Sequence, residues 1–232
     1  MLLHALALAS NLAVPVADVC AHDPTDIRVY AKIEPPSTSF SKSVPQLQAM
    51  RSNTEIAGDP RFATIAGLTV GGIGVEFEVR IADLRLTTGM VCAWPSVVTV
   101  TLSSSPTVYV VPDGGSCRTK VAIDHEMRHV AVYSDMINRY VPIFQRQVTT
   151  MVDAIGTIGP VPEESLSKLR HRIQEKVGAA IDVTSDEMDA SRDAAQRAID
   201  SSAEYERLGH ACSQVDMTPD ATRLRPDAPP RS

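Results

Sequence analysis

Apolar and polar positions along this chain follow two periods, one after the other. From Asp26 to Glu34 they alternate through Ile27-Arg28-Val29-Tyr30-Ala31-Lys32-Ile33, the period of a half-buried strand, and Pro35-Pro36-Ser37-Thr38-Ser39 ends it. Pro45 to Met50 reads as a short helix. Gly67 to Leu86 is strand-rich, with Val75, Phe77, Val79 and Ile81 facing one way and Glu76, Glu78 and Arg80 the other. Gly71-Gly72 marks a bulge or turn inside it. Val91 to Leu102 is the next strand, with Val98, Val100 and Leu102 on one face. A turn at Ser103-Ser104-Ser105-Pro106 leads to a last short strand, Thr107 to Val111. No later stretch carries a strand signal of that quality.

Pro112-Asp113-Gly114-Gly115 breaks the sheet pattern, and Ser116 stands where a cap is wanted. From Cys117 to about Ile155 the period becomes helical, through Val121, Met127, Val130, Tyr133, Met136, Ile137, Tyr140, Phe144, Val148, Met151 and Val152. Pro142 is expected to kink or divide this run near Asn138. Gly156 to Pro162 reads as a loop. Pro162-Glu163-Glu164 then opens a second helical region, with acidic residues at its positive end, that continues to about Leu208. Leu166, Leu169, Ile173, Val177 and Ile181 form its stripe, and Thr184-Ser185-Asp186-Glu187 is expected to restart it through a capping box. Strands first and helices second predict an α+β domain, with a mostly antiparallel N-terminal sheet followed by long C-terminal helices. We expect one domain over 18–216, with strands within 26–111 and helices within 117–210.

The two ends read differently. The apolar, small-residue run Met1 to Ala17 is too short and too broken by Pro15 to span a membrane, and is expected to be a signal peptide ending at Ala17. Residues 217–232 are rich in Pro, Asp and Arg, have almost no large apolar residue, and are expected to be disordered. Cys20, Cys92, Cys117 and Cys212 are an even number, widely spaced, with no C-x-x-C pair. They favour disulfides and an exported chain, periplasmic or secreted. Three pairings are open; we lean to Cys20–Cys92 and Cys117–Cys212, because the latter ties the first long helix to the last. A formal charge of -6 gives no electrostatic reason to expect nucleic acid or an anionic membrane as partner.

One stretch carries chemistry. His125-Glu126-Met127-Arg128-His129 is an H-E-x-x-H inside the first helical run. Residues four apart on a helix lie one above the other, so both imidazoles can reach one ion. Glu126, one step round, can reach a water on that ion. This is the arrangement of zinc-dependent peptide hydrolysis. The rival reading is a charged, solvated helix face.

A hydrolytic zinc needs a third protein ligand and an open position. Asp135 stands at the spacing of the metzincin class, but Val132 holds the place of that class's turn-forming glycine. The helical stripe also runs straight on, so Asp135 is set aside as an exposed aspartate. The remaining acidic and histidine candidates are Glu187, Asp200, Glu204, Glu206 and His210, all in the last helical region. Asp200 and Glu204, four apart, would share a helix face. Glu204 is favoured as ligand with Asp200 orienting an imidazole, and the two roles are interchangeable at this level. Tyr205, and less so Tyr133, is a candidate donor to a developing oxyanion. His171, between Arg170 and Arg172, reads as part of a solvated face.

His125-Glu126-x-x-His129 behind the strand Thr107 to Val111, with a later helical Glu, resembles the zincin metallopeptidases of the gluzincin type. More narrowly, Pro106-Thr107-Val108-Tyr109-Val110, Gly115-Ser116-Cys117 and His125 to Val130 look like small exported bacterial zinc-dependent proteases. The resemblance is specific over about Val108 to Tyr133. It departs at the third ligand, since this chain has Asp200-x-x-x-Glu204 where that type has Glu-x-x-x-Asp. It implies a zincin-like fold and a metalloendopeptidase in which a zinc-activated water attacks a peptide or protein substrate. Glu126 would be the general base, and Thr107 to Val111 the edge-like strand that pairs with substrate. The alternative is a non-catalytic metal-binding or envelope interaction protein on the same scaffold.

Overall fold

A computed structural model describes residues 19–51, 66–112 and 116–212. The expected signal peptide and C-terminal tail lie outside the described residues, as do 113–115 of the turn before the first long helix. The order of elements is β1 (Asp26–Ile33), β2 (Ser37–Ser39), α1 (Val44–Arg51), β3 (Gly67–Val70), β4 (Gly74–Arg85), β5 (Met90–Ser104), β6 (Thr107–Val110), α2 (Ser116–Ile155), β7 (Ile158–Pro162), a short 3-10 turn (Glu163–Ser165), α3 (Leu166–Ile199) and α4 (Ser202–His210). This is the α+β arrangement that the two periods predict: strands, then long helices.

The chain forms two compact units. Within the described residues, the first takes 19–30, Val75–Thr101 and Tyr140–Asp186; the second takes 31–51, 66–74, 102–112, 116–139 and 187–212.

In the first unit β5 is the spine of the sheet, lying between β1 and β4, with β7 also paired to it. Its alternating residues Val98 and Val100 are fully buried, as the period of two requires. Gly89, at φ 76°, closes the β4–β5 connection in a left-handed conformation that L side chains rarely adopt. Helix α2 contributes the buried stripe Tyr140, Phe144, Val148, Val152 and Ile155, and α3 contributes Leu166, Leu169, Ile173, Val177 and Ile181. Phe77 of β4 lies where a Cβ on Gly178 of α3 would meet it, at 3.2 Å. Arg170 of α3 also bonds Asp83 of β4, at 2.5 Å. A disulfide joins Cys20 to Cys92.

In the second unit the sheet order is β2-β6-β3. β2 runs parallel to β6, pairing Ser37 with Thr107, while β3 is antiparallel to it, pairing Leu68 with Tyr109. The sheet is therefore mixed rather than purely antiparallel. Val108 and Val110 of β6 are fully buried against Ala122 and Val130 of α2. A second disulfide joins Cys117, in the first turn of α2, to Cys212, just past α4. Both leanings on cysteine pairing hold.

Three local expectations fail, each for a physical reason. Gly156 to Pro162 is not all loop: Met90 pairs with Pro162 and Val91 with Val161, so β5 recruits a strand whose own sequence has no strand period. Pro142 does not divide its helix; α2 is continuous over 40 residues, with a buried stripe on both sides of the proline. No capping box restarts α3 at Thr184, because the Thr184 and Ser185 hydroxyls donate back to the Ala180 and Ile181 carbonyls and the helix runs through. The break comes later, at Asp200-Ser201. There the Ser201 side chain accepts the Glu204 N–H and starts α4.

Candidate metal centre

Every residue of the centre belongs to the second unit. His125 and His129 stand one turn apart on α2, with their rings edge to face and centroids 5.0 Å apart. They are 5% and 9% exposed, and Glu126 between them is 6% exposed, so the segment is no solvated face. The two Nε2 atoms are 3.3 Å apart. Asp200 Oδ1 lies 3.2 Å from His129 Nε2 and 3.3 Å from His125 Nε2. Two ring nitrogens and one carboxylate oxygen therefore make a nearly equilateral triangle.

The far side of each ring decides what those Nε2 atoms present. His125 Nδ1 faces Glu204 Oε1 at 3.2 Å, and His129 Nδ1 faces Gln196 Oε1. Gln196 answers with its own Nε2 donating to the His129 carbonyl at 3.1 Å, which fixes the amide's orientation. In the neutral tautomer with Nδ1–H donating outward, each Nε2 turns a lone pair inward. Three acceptor atoms at this spacing repel one another unless a proton or a cation lies among them. This His125, His129 and Asp200 group could hold a metal ion.

The electrostatics describe the case in which a proton, rather than a cation, lies among the three atoms. Burial pushes the Asp200 carboxyl up, but hydrogen bonds from His125 and His129 outweigh it and hold the group far below the usual carboxylate range. Burial pulls His129 down, and the bonds to Asp200 and Gln196 reverse that, leaving it raised. Glu204 is held at about 2, first by the Arg207 hydrogen bonds. Glu126 moves the other way: burial raises it, and the Thr69 hydroxyl only partly offsets that.

Strand β3 holds Glu126. Thr69 Oγ1 is 2.8 Å from Glu126 Oε2 and 3.1 Å from its carbonyl oxygen. A Cβ on Gly67 would meet Glu126 Cγ at 2.8 Å, so the carboxylate occupies space that only glycine leaves open. Further along, Tyr133 donates to the Gly71 carbonyl at 3.1 Å, which removes its hydroxyl from the candidate oxyanion donors.

His125, Glu126, His129, Asp200, Glu204 and Tyr205 do come together. Asp200, not Glu204, touches both Nε2 atoms, and Glu204 stands behind His125. The two do not share one helix face, because α3 ends at Ile199 and Asp200 sits in the break before α4. Tyr205 donates to Asp200 Oδ1 at 2.9 Å, so its proton serves the carboxylate rather than an oxyanion. Asp135, Glu187, Glu206, His171 and His210 are exposed and take no part in the triangle. Strand β6 is no edge; β2 and β3 occupy both its sides. Among the described residues β2 and β3 are the two edges of this sheet, and β3 is the one that carries Gly67 and Thr69 beside Glu126.

Gly67, Thr69, Arg128, Gln196 and Arg207 were not singled out from sequence. One signal was available: Ser201-Ser202-Ala203-Glu204 has the S-x-x-E spacing of a capping box, which would have placed a helix start beside Asp200. Glu204 completes only half of that box. Its N–H bonds the Ser201 side chain, while its carboxylate turns to Arg128, Arg207 and His125.

The paired cysteines fit an oxidising compartment, and no helix among the described residues is long and apolar enough to cross a membrane. Compared with known proteins, the chain matches no family model, no curated protein and no solved structure.

Proposed function

We propose that the protein is an exported zinc-dependent peptidase with His125, His129 and Asp200 as metal ligands and Glu126 as general base. The observation that carries this reading is the triangle of ligand atoms, with sides of 3.2–3.3 Å. A tetrahedral centre with bonds of about 2.0–2.1 Å holds its ligand atoms about 3.3–3.4 Å apart. An octahedral one at the same bond length needs about 2.8–3.0 Å. Nitrogen-rich, tetrahedral and three-liganded is the donor set of hydrolytic zinc, with the fourth position open.

When bound, zinc supplies Lewis-acid polarisation of a peptide carbonyl and lowers the pKa of a water at the open position. The chain's own groups do the rest. Glu126, whose burial favours proton uptake, takes a proton from the attacking water and returns it to the leaving amine nitrogen. Thr69 holds its Oε2, and Gly67 leaves room for the side chain. Tyr205, Gln196 and Glu204 orient the three ligands. A peptide strand would add to the outer side of β3, next to Glu126, rather than to β6.

The test is metal analysis and peptide-library cleavage on protein purified without chelator, for wild type and Glu126→Gln. One zinc per chain in both, with cleavage in wild type alone, is the expected result. No bound zinc overturns the metal reading. Zinc without cleavage leaves a non-catalytic metal-binding protein.

A further inference from the structure

Glu204 is bonded unequally by its neighbours. Oε1 accepts from Arg128 Nη1 at 2.6 Å and from Arg207 Nη2 at 2.7 Å, but from His125 Nδ1 at 3.2 Å. Oε2 takes Arg207 Nε at 2.8 Å. Bonds between ionised partners are short and roughly twice as strong as neutral ones. The distances therefore rank both guanidiniums above the imidazole as partners of this carboxylate.

That ranking matters for a metal. An unopposed carboxylate on an Nδ1–H draws the proton off the ring and makes the imidazole a more electron-rich ligand. His129 has only a neutral amide, Gln196, in the same place. With two guanidiniums on it, Glu204 pulls on His125 little more than Gln196 pulls on His129.

We propose that Arg128 and Arg207 are positioning residues of the metal centre. They neutralise Glu204, so that it orients His125 without adding its charge to the site, and Asp200 remains the one anionic ligand. The inference rests on the metal reading above. The layout suits it: the two guanidinium side chains are 49% and 57% exposed, while the Glu204 side chain they hold is 9% exposed. Positive charge stands outside, and negative charge is buried one imidazole away from the cation position.

The sign of the effect separates this role from simple scaffolding. Removing a guanidinium unmasks a buried negative charge beside a cation site, so zinc should bind more tightly. If the arginines only prop up the fold, their loss frees Glu204, loosens His125 and weakens zinc.

The experiment is competition for zinc against a chromophoric chelator, using the full chain. Arg207→Gln is expected to tighten zinc by about 3- to 10-fold, the size of one screened charge several ångströms away. Arg128→Gln, which removes one bond rather than two, is expected to act in the same direction by less. Arg207→Lys, which keeps the charge, should stay within about twofold of wild type. Glu204→Gln should weaken zinc by about tenfold or more. The visible spectrum of the cobalt-loaded protein should be the same in wild type and Arg207→Gln, because the ligand set is unchanged. Unchanged or weakened zinc binding in both arginine variants overturns the proposal while leaving the metal reading intact. If wild type binds no zinc, both fall together.

Discussion

Asp200 and Glu204 are two carboxylates four residues apart, and their surroundings give them different work. Asp200 sits where the chain leaves α3 and touches both Nε2 atoms; Glu204 touches one Nδ1 and two guanidiniums. Asp200→Ala is therefore expected to lower zinc affinity by about 100-fold or more, against about 10- to 100-fold for Glu204→Gln. Chelator competition ranks the two, and the reverse order would restore Glu204 as the ligand. Glu204 also predicts an acid response. Its pKa is lowered in the fold from 4.5 to about 2. A depressed carboxylate contributes stability that is fully present above about 4.5 and is lost as pH falls toward about 2. Denaturant melts at pH 6, 4 and 3 should show wild type losing stability faster than Glu204→Gln. A parallel decline in the two proteins would remove Glu204 from the account. At Glu126 the sensitive neighbour is a glycine. Gly67→Ala puts a methyl 2.8 Å from Glu126 Cγ, so we expect about 1–3 kcal/mol of destabilisation together with loss of cleavage. A variant that melts and cleaves like wild type would show that the carboxylate has room to move.

The helix period was legible in the sequence because it is a property of neighbours three and four apart. It carried α2 through Pro142, even though a proline alone predicts a break. What it missed is where α3 stops. Ile199 is followed by Asp200-Ser201, and a hydroxyl cap there outcompetes continuation of the helix. Ser201→Ala is expected to cost about 1 kcal/mol and to weaken zinc, because the cap sets both the path of Asp200 and the first turn of α4. Calorimetry together with the zinc assay checks both halves, and a stability loss with unchanged affinity would separate the cap from the site. β7 shows the same limit from the sheet side. Ile158–Pro162 has glycine and two prolines where a strand pattern would alternate, yet β5 supplies it with a partner. Strand pairing is made through space, and a residue cannot announce its partner.

At the scale of the molecule the candidate centre belongs to one of the two units, and a disulfide clamps that unit around it. Cys117 and Cys212 are 95 residues apart, so their bond removes about 4–5 kcal/mol of chain freedom from the unfolded state. It also tethers the far end of the helix that carries Glu204, Tyr205 and Arg207 to the start of the helix that carries both histidines. Metal, if bound to the native state alone, should add to this. Zinc at 100 times its Kd contributes about 2.7 kcal/mol, or roughly 5–10 °C in Tm for a chain of this size. Thermal melts with zinc and with chelator measure it. A Tm indifferent to both would count against the metal reading.

The amino-acid sequence alone settled the order of strands and helices, the α+β class, and the H-E-x-x-H pair on the first long helix. All of these depend on spacing within a few residues. It also narrowed the candidates for a third ligand to the last helical region before Cys212. The tertiary structure decided which carboxylate of that stretch faces the Nε2 atoms, what each imidazole's Nδ1 faces, and that β6 is the central strand of its sheet rather than an edge. Those outcomes depend on atoms about 70–80 positions apart meeting at 3.2–3.3 Å. No local period encodes such a distance; it is set by how the helices pack and where a serine hydroxyl ends one of them.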